Sequence, residues 1–564
     1  MVQRTEDKLT VADFFCGAGG FSEGFRQMGF EVKFGLDYWK PAINTFKLNH
    51  PGAQTLLTDV LELSPEQIIA HDMIPDVDVI VGSPPCVAFS GSNRAGNANK
   101  TIGIQLIEKY LQIVALKKHK KGSRLKYWLM ENVPNSRNYV KDEYTFKMLG
   151  LDNKTLRALK IDFSENDVAL RIDKSLENVH NAVHFGVPQR RERFICGQFI
   201  KPTPTTPTQE DWVTLGHVLD ALRSTASQIK DPNYGILISN IQITDHFYDT
   251  TIPRFEWEDA RNKKLQARYY GRMSFPEDES KPSRTVMATK SVVSRESMIL
   301  RNGHPEIYRS PTIREVAALM SFPLTYLFQG SNESTKYRLV GNAVCPKMSA
   351  AFARAILIEH KKRTPSEAFI HRPEKEKLIA NLREKQPSLK KSRNRDIYST
   401  FAEIVPDLKQ GNYRVELTNS LNKQNKKIRW EASIHHATGK DSMKKALPTQ
   451  SQIKAVLKDV DEEKLNEFMV QVERTFSGRI PTAMKFQEQY CLVKPDSQHF
   501  TPREALSKVK SLVDKHFPEQ KYGAVILPLG NHIQFDRGEP PRGGVPLRHL
   551  LALYSVNLIA KLTR

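Results

Sequence analysis

The chain has 564 residues, 39% of them hydrophobic and 26% charged, which is too long for one hydrophobic core and too apolar for a disordered chain; two to four domains are expected. No stretch approaches the roughly 18–20 apolar residues of a membrane span, the N-terminus lacks a secretory pattern, and five widely spaced cysteines with no CxxC pair exclude a disulfide scaffold. Lys and Arg number 84 against 63 acids, a formal charge of +21 that points to a polyanionic partner, most often nucleic acid.

The first 130 residues alternate apolar runs with helical patterns. TVADFF (10–15) reads as a buried strand that feeds a Gly-rich turn and a helix through Phe25. EVKFGLD (31–37), VDVIVGS (77–83) and KYWLMENV (126–133) read as further strands, with a helix at AINTFKLN. Strands alternating with helices predict a parallel sheet covered on both faces, with ligands in the crevice beyond the carboxyl ends of its strands. From about 200 to 305 the pattern loosens, opening with KPTPTTPTQ and mixing aromatic and basic residues in RFEWEDARNKKLQARYYGRM. SPTIREVAALM signals a helix with Glu315 in its first turn, and KMSAAFARAILIEHKKR (347–363) reads as a domain's last helix. A basic stretch follows as a linker or exposed helix, and past 400 a separate domain is expected. There YRVEL and KIRWEASIH form a candidate hairpin, and Thr501, Pro502 and Glu504 make a capping box.

Four motifs carry chemistry. In DFFCGAGGF, Gly17, Gly19 and Gly20 let the backbone turn tightly and approach a ligand. Asp37, ending the second strand, is placed for a ribose hydroxyl, Tyr38 and Trp39 for stacking on adenine, and Asp59 for an exocyclic amine. In VDVIVGSPPCVAFS a buried strand runs into Pro84–Pro85–Cys86 and presents a thiol at the active edge; an inert buried cysteine is the alternative. Glu131 and Asn132 of ENV follow another strand into the same crevice, where a carboxyl can act as a general acid or bind a ring nitrogen. In FGVPQRRERF, Arg191 and Arg193 are two apart and would share a side in an extended chain.

Taken together and in order, DFFCGAGGF, LDYW, TDV, GSPPCVAFS, ENV, PQRRERF, REVAALMSFP and VGNAVCP make residues 1–363 resemble the DNA cytosine-5 methyltransferases. The resemblance implies an α/β fold: a Rossmann-like S-adenosylmethionine-dependent domain (1–200 and 306–363) with an inserted target-recognition domain (201–305), then a basic linker (364–400) and a separate α+β domain (401–564). It makes Cys86 the nucleophile, Glu131 the partner of the cytosine ring, and Arg191 and Arg193 the arginines around the target base. Phe15, Gly17, Gly19, Asp37, Tyr38, Asp59 and Asn342 match S-adenosylmethionine-binding positions, and no metal is expected. Two departures are mild: Pro84 stands where the family often has Phe, and Val87 where it often has Gln. The implied partner is double-stranded DNA, bound by a cytoplasmic, nucleoid-associated monomer, with a separate restriction endonuclease as a candidate companion. The implied role is the modification half of a bacterial restriction–modification system. Alternatives are an RNA cytosine-5 methyltransferase, a catalytically silent DNA-binding protein, or a methyltransferase fused to a C-terminal nuclease. No nuclease motif with suitable spacing lies on a strand of the tail, and His435–His436 read as surface residues.

Overall fold

The computed structural model describes residues 8–85, 89, 100–265, 273–292, 294–303, 306–362, 364–365, 379, 394–406, 408, 412–422, 427–436, 444–458, 460–492, 495–538 and 544–564. They form two compact units, Met1–Ile252 with Pro276–Leu389, and Pro253–Phe275 with Lys390–Arg564.

The first unit is built on strands β1 (Thr10–Phe14), β2 (Glu31–Asp37), β3 (Gln54–Leu57), β4 (Val79–Gly82) and β5 (Tyr127–Asn132). A side pair, β6 (Glu143–Thr145) and β7 (Val168–Arg171), precedes β8 (Asn178–Asn181) and β9 (Glu192–Gln198). The main sheet has seven strands in the order β3-β2-β1-β4-β5-β9-β8. β1 to β5 are parallel, but β9 runs antiparallel to β5, so the sheet is mixed rather than all-parallel as expected.

Alternate residues of each central strand enter opposite cores, as the two-residue period of a strand requires. Val11, Val79, Val81, Leu129 and Ile195 face one; Ala12, Phe14, Ile80, Trp128, Met130, Phe194 and Cys196 face the other. Both faces are therefore covered, which explains the near-continuous apolar runs. The helix Gly20–Gln27 lies directly against the helix Pro346–Glu359: a Cβ on Gly24 would sit 2.4 Å from the Pro346 carbonyl oxygen. The C-terminal end of the family-like region thus closes onto its first helix. The expected caps are present, with Thr312 and Glu315 reciprocally bonded ahead of the helix Ile313–Leu319.

The second unit contains a four-stranded antiparallel sheet in the order Ala402–Ile404, Tyr413–Asn422, Lys427–His436, Lys444–Ala446, and a buried helix, Leu547–Leu562. The capping box at Thr501 and Glu504 starts the helix Pro502–His516. His435 and His436 are buried rather than on the surface: the hairpin register turns His435 inward, where Nε2 meets Glu416 Oε2 at 3.0 Å and Ser433 Oγ at 2.9 Å. Residues 253–275, expected inside the inserted domain, belong to this unit. The basic 371–393 stretch lies outside the described residues apart from Ile379. Among the described residues no helix is long and apolar enough to cross a membrane.

Candidate active site

Because β1 to β5 are parallel, Phe14, Asp37, Leu57, Gly82 and Asn132 all end at one edge of the sheet. The strand order reverses between β1 and β4, the crevice where such sheets bind ligands. β9 runs the other way, so its first residues, not its last, reach this edge; Asn132 pairs with Phe194. That reversal brings the arginine motif to the carboxyl motif.

The turn after β1 is left-handed at three positions: Phe15 (φ 57°), Gly17 (53°) and Gly19 (84°). Phe15 holds a conformation that L side chains rarely adopt, a strain that concentrates at ligand-binding turns. Over Gly17 the space is open; a Cβ there would meet nothing nearer than the Phe15 oxygen at 4.0 Å. A ligand can therefore lie against bare backbone. Asp37 is buried beside this turn and ties it to the next one, accepting hydrogen bonds from Gly17 N (2.9 Å) and Trp39 N (2.8 Å). Burial raises its carboxyl above the usual carboxylate range, opposed by those hydrogen bonds and by the Arg338 charge. Tyr38 is 59% exposed and presents an open ring, whereas Trp39 lies beneath the Arg338 guanidinium at 4.7 Å. Asp59 is exposed and caps its own turn by accepting from Leu61 N at 3.0 Å. Asn342 is exposed at the end of the helix Glu333–Asn342.

Glu131 and Arg193 form a close pair, Oε1 to Nε at 2.7 Å, with side chains only 8% and 12% exposed. A guanidinium held this way keeps the carboxylate oriented at the crevice. Arg191 does something else. Its buried guanidinium donates to the backbone carbonyls of Val286 (3.0 Å), Gly341 (2.8 Å) and Ala343 (3.1 Å). The two arginines do not share a side, because Arg191 precedes β9 and lies in a segment pinned to residues 283–286. There Arg190 N donates to Ser283 O, Thr285 Oγ1 to Arg190 O, and Val286 N to Gln189 Oε1. Through these contacts Arg191, expected at the target base, braces the return strand and the Gly341–Ala343 turn.

Cys86 lies outside the described residues. The chain just before it is fixed, since Asn132 Nδ2 donates to Pro84 O at 3.1 Å, and Asn135 Nδ2 donates to Phe89 O at 3.3 Å just beyond it. Asn132 is fully buried, so its amide positions the loop rather than meeting a ligand. Sequence reasoning placed Asn132 in the crevice without a task; its position directly after Glu131 on a buried strand was the available signal.

A family model described as C-5 cytosine-specific DNA methylase matches residues 9–358. The Type II methyltransferase M1.HphI of Haemophilus parahaemolyticus is 27% identical over 359 residues, covering 62% of this chain and 87% of its own length. M.MthTI of Methanothermobacter thermautotrophicus, also named a Type II methyltransferase, is 27% identical over 366 residues, 62% of this chain and 97% of its own. Among solved structures, the Entamoeba histolytica methyltransferase EhMeth is 15% identical with a TM-score of 0.40, covering 63% of this chain and 100% of that one. The family match includes residues 253–275 of the second unit and ends before the rest of it, Lys390–Arg564.

Proposed function

The chain belongs to the C-5 cytosine-specific DNA methylase family, and from that premise we propose that it methylates carbon 5 of a flipped-out cytosine in a specific duplex DNA sequence through a covalent Cys86 adduct. The observation that carries this reading is the Glu131–Arg193 pair at the same sheet edge as the anchored Pro84 carbonyl, two residues ahead of Cys86. S-adenosylmethionine, the cofactor of this chemistry, supplies an electrophilic methyl group when bound. The open backbone over Gly17, the carboxylate of Asp37 and the exposed Tyr38 ring fit it, with Phe15, Gly19, Asp59 and Asn342 around them.

Carbon 5 of cytosine is a weak nucleophile. Addition of the Cys86 thiolate to carbon 6 forms a C–S bond and makes carbon 5 electron-rich. Glu131, held by Arg193, meets ring nitrogen 3 and stabilises the charge that develops on the ring. Once carbon 5 carries the methyl group, loss of its proton restores the ring double bond and expels the thiolate. The reacting atom is buried in a duplex, so the base must leave the stack, at a few kcal/mol.

Residues 201–305 read as the target-recognition insertion; the relatives are named Type II methyltransferases, and the proposal extends to the modification half of a bacterial restriction–modification system with a separate endonuclease as its companion. A cytoplasmic monomer acting on the nucleoid completes the proposal. Incubation with labelled S-adenosylmethionine and either plasmid DNA or transfer RNA tests it. Label in DNA, and a covalent complex with 5-fluorocytosine DNA formed by the parent but not by Cys86→Ser, is the expected result. Label only in transfer RNA, or near-normal turnover by Cys86→Ser, overturns it.

A further inference from the structure

The helix Glu333–Asn342 packs beside the helix Lys40–Asn49. Two of its exposed residues, Arg338 and Asn342, are four apart and share one face. Asn342 is among the residues expected around the cofactor; the VGNAVCP motif begins two residues after Arg338 and gives it no role. The Arg338 guanidinium lies over the Trp39 ring, 4.7 Å from the centroid. Its charge also reaches Asp37, where it opposes the burial that raises that carboxyl. Asp37 in turn accepts from Trp39 N at 2.8 Å and from Gly17 N at 2.9 Å. Guanidinium, indole and carboxylate therefore form one cluster beside the open Gly17 turn.

The sequence makes Trp39 a stacking surface for adenine. In the folded chain its ring is partly buried against the main core and carries a guanidinium as well. The surface offered at this place is thus Arg338 rather than the indole. Among the described residues the Arg338 N–H groups meet no hydrogen-bond acceptor, so the side chain is held by the ring and keeps its donors free. A guanidinium is planar and weakly hydrated and stacks on aromatic systems, so one resting on an indole still offers its other face and its N–H edge. Nucleic-acid bases stack on arginine planes in this way, and adenine carries the same kind of ring.

We propose that Arg338 binds the adenosine part of S-adenosylmethionine, stacked between Trp39 and the adenine ring, with Trp39 as its positioning residue. This rests on the reading of the Gly17–Asp37 crevice as the S-adenosylmethionine site. Calorimetry on the full-length chain tests it, with S-adenosylmethionine and S-adenosylhomocysteine as probes, because the two share their adenosine and differ at sulfur. Arg338→Ala should weaken both by the same factor, roughly 3- to 30-fold, the range of a stacked cation. DNA affinity measured without cofactor should stay at the parental value. Arg338→Lys keeps the charge and loses the plane, so it should recover only a minor part. Trp39→Leu, which removes the platform, should copy the loss seen with Arg338→Ala. Arg338 is exposed, so its variants should melt close to the parent; where Trp39→Leu fails to fold, the two Arg338 variants decide alone. Unchanged affinity in Arg338→Ala overturns the proposal. So does tighter binding, which would show that the guanidinium occupies the adenine's own place. Full rescue by Arg338→Lys overturns the stacking, and a loss confined to DNA affinity moves Arg338 out of the cofactor site. A parent that binds neither probe refutes the underlying reading instead, a result visible before any variant is made.

Discussion

Arg191→Met tests whether Arg191 acts as a brace or at the target base. Three backbone carbonyls, Val286, Gly341 and Ala343, share the Arg191 guanidinium at 2.8–3.1 Å in a fully buried site. Hydrogen bonds to a charged donor contribute roughly 1.5–3 kcal/mol each, but three that share one group are not additive. With the orphaned carbonyls counted, a net loss of about 3–5 kcal/mol is expected. In a domain of this size that lowers the melting temperature by about 4–7 °C. Lysine offers one point charge in place of a planar fork, so Arg191→Lys should recover only a minor part. Thermal and urea unfolding of the full chain with bound cofactor provides the measurement. Arg193→Met is the comparison: it leaves those carbonyls bonded and should act mainly on methyl transfer. An Arg191→Met protein that melts with the parent yet has lost turnover would refute the brace and return Arg191 to the target base.

Asp37→Ala should weaken S-adenosylmethionine binding by about 1.5–3 kcal/mol, and calorimetry showing unchanged affinity would remove Asp37 from the site. Burial raises the Asp13 carboxyl from 3.8 to about 7, despite its bonds from Ser22. The folded state therefore holds this proton more tightly than the unfolded chain, and the stability it confers is lost as pH rises through about 7. Linkage gives a decline of about 2–3 kcal/mol between pH 5 and 8 from this group alone. Asp13→Asn cannot ionise, so its melting temperature relative to the parent should rise over that interval; a constant difference would show that Asp13 does not titrate there. A chain ending at residue 365 keeps the whole family match but strips residues 253–275 of Arg395 and Arg503, which pair with Asp259, and of the rest of their compact unit. Such a protein should elute as aggregates in size-exclusion chromatography, and a monodisperse, DNA-methylating product would contradict this.

The motif residues were legible because each sits where an apolar run stops, and apolar runs are what a sheet covered on both faces requires. Strand direction was not legible. Hydrophobic periodicity is blind to polarity, so the antiparallel course of β9 could not be read, and with it the different fates of Arg191 and Arg193. β3 escaped notice because QTLL is short and half exposed. His435 and His436 looked like surface residues since burial there follows from hairpin register and a carboxylate partner, neither visible in the local sequence. The helix Arg254–Leu265 mixes both signs of charge, and nothing in that pattern says which unit it joins.

That helix also sets a timetable for synthesis. It leaves the ribosome long before Arg503 and the buried helix Leu547–Leu562 exist to receive it. At about 5–20 residues per second, the intervening chain takes roughly 15–60 s to appear. Until Arg503 is made, Asp259 lacks that partner. The compact unit that includes residues 253–275 is therefore completed only after residues 390–564 have been made, long after the helix itself.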